Sequence, residues 1–117
     1  MEDKSPISTS AIFGFKYRLI SMFIVSLTYI KPLEEVNKFI PEHLEFLNEY
    51  YELGYFQLSG RKEPRTGGVI LVTIGSRSAL EKVLKQDPFY REGLANYEVT
   101  QIIPTKSSPE LEFLIET

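Results

Sequence analysis

The chain has a single histidine, and it stands in "FIPEHLEFLNEYYELGYF", residues 39–56. Imidazole is the one side chain that ordinarily titrates near neutral pH, so His43 is the first candidate for proton transfer. On a helical wheel at about 100° per residue, Glu42, Glu45, Asn48, Glu49 and Glu52 share one arc. His43 falls outside that arc, close to Leu47 and Tyr50. A ring nitrogen on an apolar face needs a hydrogen-bond partner. Two partners are open to it. A backbone carbonyl would make His43 a core residue, whereas a carboxylate on Nδ1 would fix the tautomer and leave Nε2 free for proton transfer. The second candidate is Asp87 in "QDPFYREG", which follows a helical stretch and precedes Pro88. An aspartate so placed either caps a turn or points its carboxylate into a cleft. Both residues belong to helices expected on one face of a sheet, so they can meet in space.

Other chemistry is narrowed by composition. The chain has no cysteine, which excludes disulfides, thiol nucleophiles and thiolate metal sites. One histidine argues against a His-based metal centre, so neither a metal nor a cofactor is expected. Arg61, Lys62 and Arg65 either decorate a solvated hairpin loop or clamp the anion of a carboxylated substrate. The glycines of "RTGG" have no helix after them and make no phosphate loop. Tyr29, Tyr50, Tyr51, Tyr55, Phe89 and Tyr90 either line an aromatic pocket or pack in core and interface. A net charge of -3 over 117 residues gives no electrostatic reason to bind nucleic acid or an acidic membrane. Lys16 and Arg18 break the apolar run from Ala11 to Leu27, so no membrane-spanning segment is expected. "MEDK" lacks the basic start of a secretory signal, and a cytoplasmic protein is expected.

The elements that must position these residues follow from periodicity. Residues 1–21 form a polar leader, expected to be appended or poorly ordered. Met22 to Tyr29 is a strand, apolar on both faces. Leu33 to Phe39 makes a short helical turn. A main helix runs from Pro41, which suits a helix start, to Leu53, and Gly54 caps its end. Tyr55 to Gly60 is the second strand, "RKEPRTGG" a hairpin loop, and Val69 to Ile74 a third strand buried on both faces. Ser78 with Glu81 reads as a capping box for a helix that ends near Gln86 ahead of Pro88. Tyr97 to Ile103 is the fourth strand, and residues 106–117 form a tail. The order β-α-β-β-α-β is that of a ferredoxin-like α+β domain, with both helices on one face of an antiparallel sheet. The bare face then needs cover, most economically from a second copy, so a homodimer or higher homo-oligomer is expected.

The spacing of "PEHLEFL", "LSG", "TGGVILV" and "QDPFYREGLANYEV" resembles the YciI-like (YCII-related) family over about residues 22–105. The features that carry it are His43 in the first helix, Ser59-Gly60 after the second strand, and Asp87-Pro88-Phe89 after the second helix. Many relatives have Gly-Pro after the serine, where this chain has Gly60-Arg61-Lys62, so no particular substrate carries over. The resemblance implies a dimeric α-β barrel of ferredoxin-like subunits and a His–Asp pair in a pocket, carried here onto His43 and Asp87. Muconolactone-isomerase-like enzymes share that fold, and some relatives remove chloride from chlorinated aromatic breakdown products. The expected function is a small cofactor-independent enzyme of lyase, isomerase or dehalogenase type acting on a small organic acid or ring. His43 would be its general base and acid, Asp87 its orienter, and Ser59, Gly60, Arg61 and Phe89 its substrate-binding residues. Nothing like a nucleophile elbow surrounds Ser59, so covalent catalysis there is not expected. The alternatives are a non-catalytic module binding a small ligand and a structural dimer domain.

Overall fold

The structure is a computed structural model that describes residues 21–115, so the leader expected over residues 1–21 lies outside it except for Ser21. The fold is mixed α+β around a four-stranded antiparallel sheet. In chain order come β1 (Ser21–Tyr29), α1 (Leu33–Asn37), α2 (Ile40–Glu52), β2 (Phe56–Arg61), β3 (Gly67–Ile74), α3 (Arg77–Leu84), α4 (Pro88–Arg91) and β4 (Ala95–Ile102), followed by a 3-10 turn at Pro109–Leu114. The strands lie in the order β2-β3-β1-β4.

Alternation along β1 decides which face is core. Phe23, Val25 and Leu27 are buried, and their partners across β3 include Val72 and Ile70. Val36 of α1, Phe46 of α2, Leu80 and Leu84 of α3 and Phe89 of α4 join the same apolar cluster, so the helices cover one face of the sheet. On the other face Ile24, Val69 and Leu71 are half-buried and Leu58 is 64% exposed. α2 ends where expected, because Gly54 takes a left-handed conformation (φ 87°) that other residues adopt only at a cost.

Several boundaries differ from the sequence reading, each for a local reason. The hairpin loop is shorter than "RKEPRTGG", since Arg61 pairs with Gly68 and both Gly67 and Gly68 belong to β3. Gly67 must be glycine there, because a Cβ would fall on the Leu27 carbonyl oxygen. The cap of α3 is Ser76, not Ser78. The Ser76 Oγ accepts the Ala79 N–H at 3.1 Å, while the Ser78 hydroxyl bonds to Ser76 Oγ at 3.2 Å. "SRS" offers two serines, and the earlier one, still extended, takes the capping position. Pro88 does close α3, but it also opens α4, since a proline at the first helical position gives up an N–H that would have no partner. In the tail Leu114 is buried, so this segment packs on its own chain.

Candidate functional site

Asp87 sits between α3 and α4 and is fully buried. A carboxylate in such a place must be surrounded by donors. Three converge on it. His43 Nδ1 lies 2.8 Å from Oδ1, the Phe89 N–H donates to the same oxygen at 3.0 Å, and the Tyr97 hydroxyl donates to Oδ2 at 2.6 Å. Asp87 takes the capping alternative and does not face the cleft: the oxygen that caps α4 also holds the histidine.

The tautomer of His43 follows. Both oxygens of Asp87 act as acceptors, so in the neutral ring Nδ1 carries the hydrogen and Nε2 the lone pair. No protein group among the described residues bonds to Nε2, and the His43 side chain keeps 13% of its surface exposed. The ring is also held flat. Phe89 stacks on it at 4.1 Å with 5° between planes, and Tyr29 abuts Phe89 edge-on at 5.9 Å. Outside the pair, Arg91 grips Glu42 with two bonds, at 2.7 and 3.1 Å, and ties α4 to the helix that bears His43. That bond holds the Glu42 carboxyl below its usual range. An exposed ion pair of this kind orients the helices more than it stabilises them.

His43 forms part of the wall of a cleft of about 750 Å³ that Ser59, Gly60, Arg61 and Phe89 also line. Every residue expected at the site therefore comes together, with Asp87 behind His43 instead of on the wall. Ser59 is already engaged, its hydroxyl 2.7 Å from that of Tyr51. The aromatic set divides: Tyr29 and Phe89 line the cleft, Tyr50 and Tyr55 pack against the core, and Tyr90 lies edge-on to Tyr97 at the surface. Among the described residues no group of three or more His, Cys, Asp or Glu side chains is placed to hold a metal ion, and no helix is long and apolar enough to cross a membrane.

Tyr97 is the residue that sequence reasoning misses. Periodicity assigns it to a strand and gives it no role beyond that. The available signal is its place on the inward face of β4, opposite Leu27, where a phenol hydroxyl needs a partner. Burial first, and then the Asp87 carboxylate beside it, push this phenol far above the ordinary tyrosine range. It therefore remains a donor throughout the neutral and mildly alkaline range. A consequence for stability follows. The unfolded chain releases this proton near the ordinary tyrosine value of 10.0 while the folded chain retains it, so stability is complete below that pH and declines as pH rises above it. Tyr50, also raised by burial, adds to the decline. Urea midpoints between about pH 8 and 11 should fall with alkali, and Tyr97→Phe should flatten that fall. A slope unchanged by Tyr97→Phe would contradict the assignment.

A model of the YCII-related domain matches residues 22–103. Among curated proteins, none matches the sequence. Among solved structures, the chain is similar to 5-chloro-2-hydroxyhydroquinone dehydrochlorinase (TftG) from Burkholderia phenoliruptrix AC1100 in complex with 2,5-dihydroxybenzoquinone. The TM-score is 0.61 and the identity 18%, over 76% of this chain and 97% of that one. A weaker likeness, with TM-score 0.47 and 13% identity over 79% of this chain and 99% of that one, is to a mutant of SnoaB, a cofactor-independent oxygenase from Streptomyces nogalater.

Proposed function

The chain belongs to the YCII-related domain family, and we propose that it is a small cofactor-independent enzyme that moves a proton on a small organic acid or ring. The observation that carries this reading is the His43–Asp87 bond at the wall of an open cleft, with Nε2 unengaged. In this reaction Nε2 takes a proton from a C–H or O–H of the bound molecule. The resulting imidazolium is stabilised by Asp87, whose charge the Phe89 N–H and Tyr97 hydroxyl keep in place. The electron pair released either shifts a double bond, with the proton returned elsewhere, or expels a leaving anion such as chloride. The first outcome is isomerisation and the second is elimination. Ser59, Gly60, Arg61 and Phe89 hold the molecule against the imidazole.

Turnover tests this directly. Chlorinated hydroxyhydroquinones and unsaturated lactones form the starting panel, read by chloride release and by proton exchange with deuterated solvent. His43→Asn should lower the rate on any compound turned over by roughly 10²–10⁴-fold. Full activity in that variant would refute the role of His43, and binding without turnover across the panel would favour a ligand-binding module.

The same reading extends to assembly: two ferredoxin-like subunits pair their uncovered sheet faces into a dimeric α-β barrel. Supporting this are the exposed Leu58 and the half-buried Ile24, Val69 and Leu71 on that face, an apolar surface that a second copy would remove from water. Light scattering at micromolar concentration should return at least twice the mass of the chain. A stable monomer would exclude the barrel.

A further inference from the structure

Three cations follow one another closely at the β2–β3 hairpin, and the fold treats them differently. Lys62 donates to Thr28 Oγ1 at 3.2 Å and is not part of the cleft wall. Arg61 and Arg65 both line the cleft. Arg65 is aimed by Asn37, whose Oδ1 accepts from Nη2 at 2.6 Å. An amide orients a guanidinium without neutralising it. Arg61 has no carboxylate partner among the described residues, in contrast to Arg91, which is paired with both Glu42 and Glu92. No aspartate or glutamate among the described residues lines the cleft. In a chain with a net charge of -3, a cleft wall bearing two unneutralised guanidiniums is a local reversal of sign.

The sheet register places Arg61 relative to Tyr97, the residue that holds Asp87. Arg61 pairs with Gly68, Gly68 with Leu27, and Leu27 with Tyr97, so the four residues form one row across the sheet. Arg61 stands on the β2 edge. Tyr97, which holds Asp87 and through it His43, stands on the β4 edge. Gly68 contributes no side chain between them, leaving the floor of the row open. Two strand spacings, about 10 Å between backbones, separate Arg61 from Leu27, which also lines the cleft. Leu44, Leu47 and Ile70 supply apolar walls for a ring.

We propose that Arg61 and Arg65 form a carboxylate seat at the end of the cleft away from His43, and that the ligand is a monocyclic acid held with its ring between seat and imidazole. This rests on the cleft being the substrate site. The planar fork of guanidinium matches the two oxygens of a carboxylate.

Benzoate and its neutral isostere benzamide are the probes, titrated calorimetrically into the full-length protein, with inorganic phosphate as a third arm. Benzoate should bind at least about tenfold tighter than benzamide, the margin expected of a charge-assisted fork. Arg61→Met and Arg65→Met should each weaken benzoate by about five- to tenfold and benzamide by no more than about twofold, and Lys62→Met should change neither. Equal affinity for the two probes, no binding of either, or benzoate binding untouched by both arginine variants would overturn the seat. Phosphate binding tighter than benzoate would also overturn it, in favour of a phosphoryl site. The two proposals fail separately: an absent carboxylate preference beside His43-dependent turnover removes the seat alone, whereas an intact preference beside turnover indifferent to His43→Asn removes the proton-transfer reading alone.

Discussion

Asp87→Asn is expected to cut turnover by roughly 10²–10⁴-fold while the protein remains folded. With its oxygen in the Oδ1 position the amide still accepts the Phe89 N–H that caps α4, and the local chain direction survives. What is lost is the second acceptor. The amide NH₂ must face either Tyr97, whose hydroxyl can turn and accept, or His43 Nδ1. In the second arrangement the NH₂ takes the Oδ1 position and donates to Nδ1, the ring hydrogen moves to Nε2, the lone pair that faced the cleft is gone, and the Phe89 N–H loses its acceptor. In the first, the amide oxygen still receives Nδ1–H but no longer carries the charge that stabilises the imidazolium. Either outcome lowers the rate. Steady-state kinetics beside circular dichroism would separate loss of chemistry from loss of fold, and turnover within about threefold of wild type would show that the carboxylate is dispensable.

Phe89→Ala should have the largest effect on stability of any change at the site, about 3–5 kcal/mol. Phe89 is 2% exposed and belongs to the core cluster. Its ring is the surface on which the imidazole lies, and Tyr29 packs against its edge. Alanine leaves a cavity beneath His43 that the sheet, fixed by its ladder, cannot close. The imidazole then gains freedom to rotate away from Asp87, so residual activity should fall further than the folded fraction does. Urea unfolding measures the first effect, and turnover per folded molecule the second. A loss below about 1 kcal/mol would mean that the site relaxes around the missing ring.

How much of this is legible in the residues depends on the range of the interaction that decides each feature. β1, α2 and the end of α2 at Gly54 follow from alternation, helical spacing and one glycine, all local signals, and each is readable. The two ends of the dyad are readable as well, His43 from its wheel position and Asp87 from its turn. Their meeting rests on the expected helix placement and on the family resemblance. The limits of β3 are not readable, because Gly67 and Gly68 look like loop residues until β1 and β2 lie alongside them. The choice of Ser76 over Ser78 depends on where the preceding strand releases the chain. α4 is hidden by Pro88, which signals both an end and a beginning. Tyr97 and Asn37 are invisible as site residues for a related reason: each acts by orienting a charged partner in another element of the fold. The sorting of Arg61 and Arg65 from Lys62 depends on where the hairpin directs each side chain.

On the proton-transfer reading, Asp87 holds the neutral His43 ring with Nδ1 protonated and Nε2 bare toward the cleft. Because the chain has one histidine, nitrogen-15 NMR of the ring reads this state without assignment ambiguity. At a pH where the ring is neutral, a protonated Nδ1 and an unprotonated Nε2 are expected in the wild type. A ring protonated at Nε2 in the wild type would contradict that reading and return His43 to the role of a packing residue.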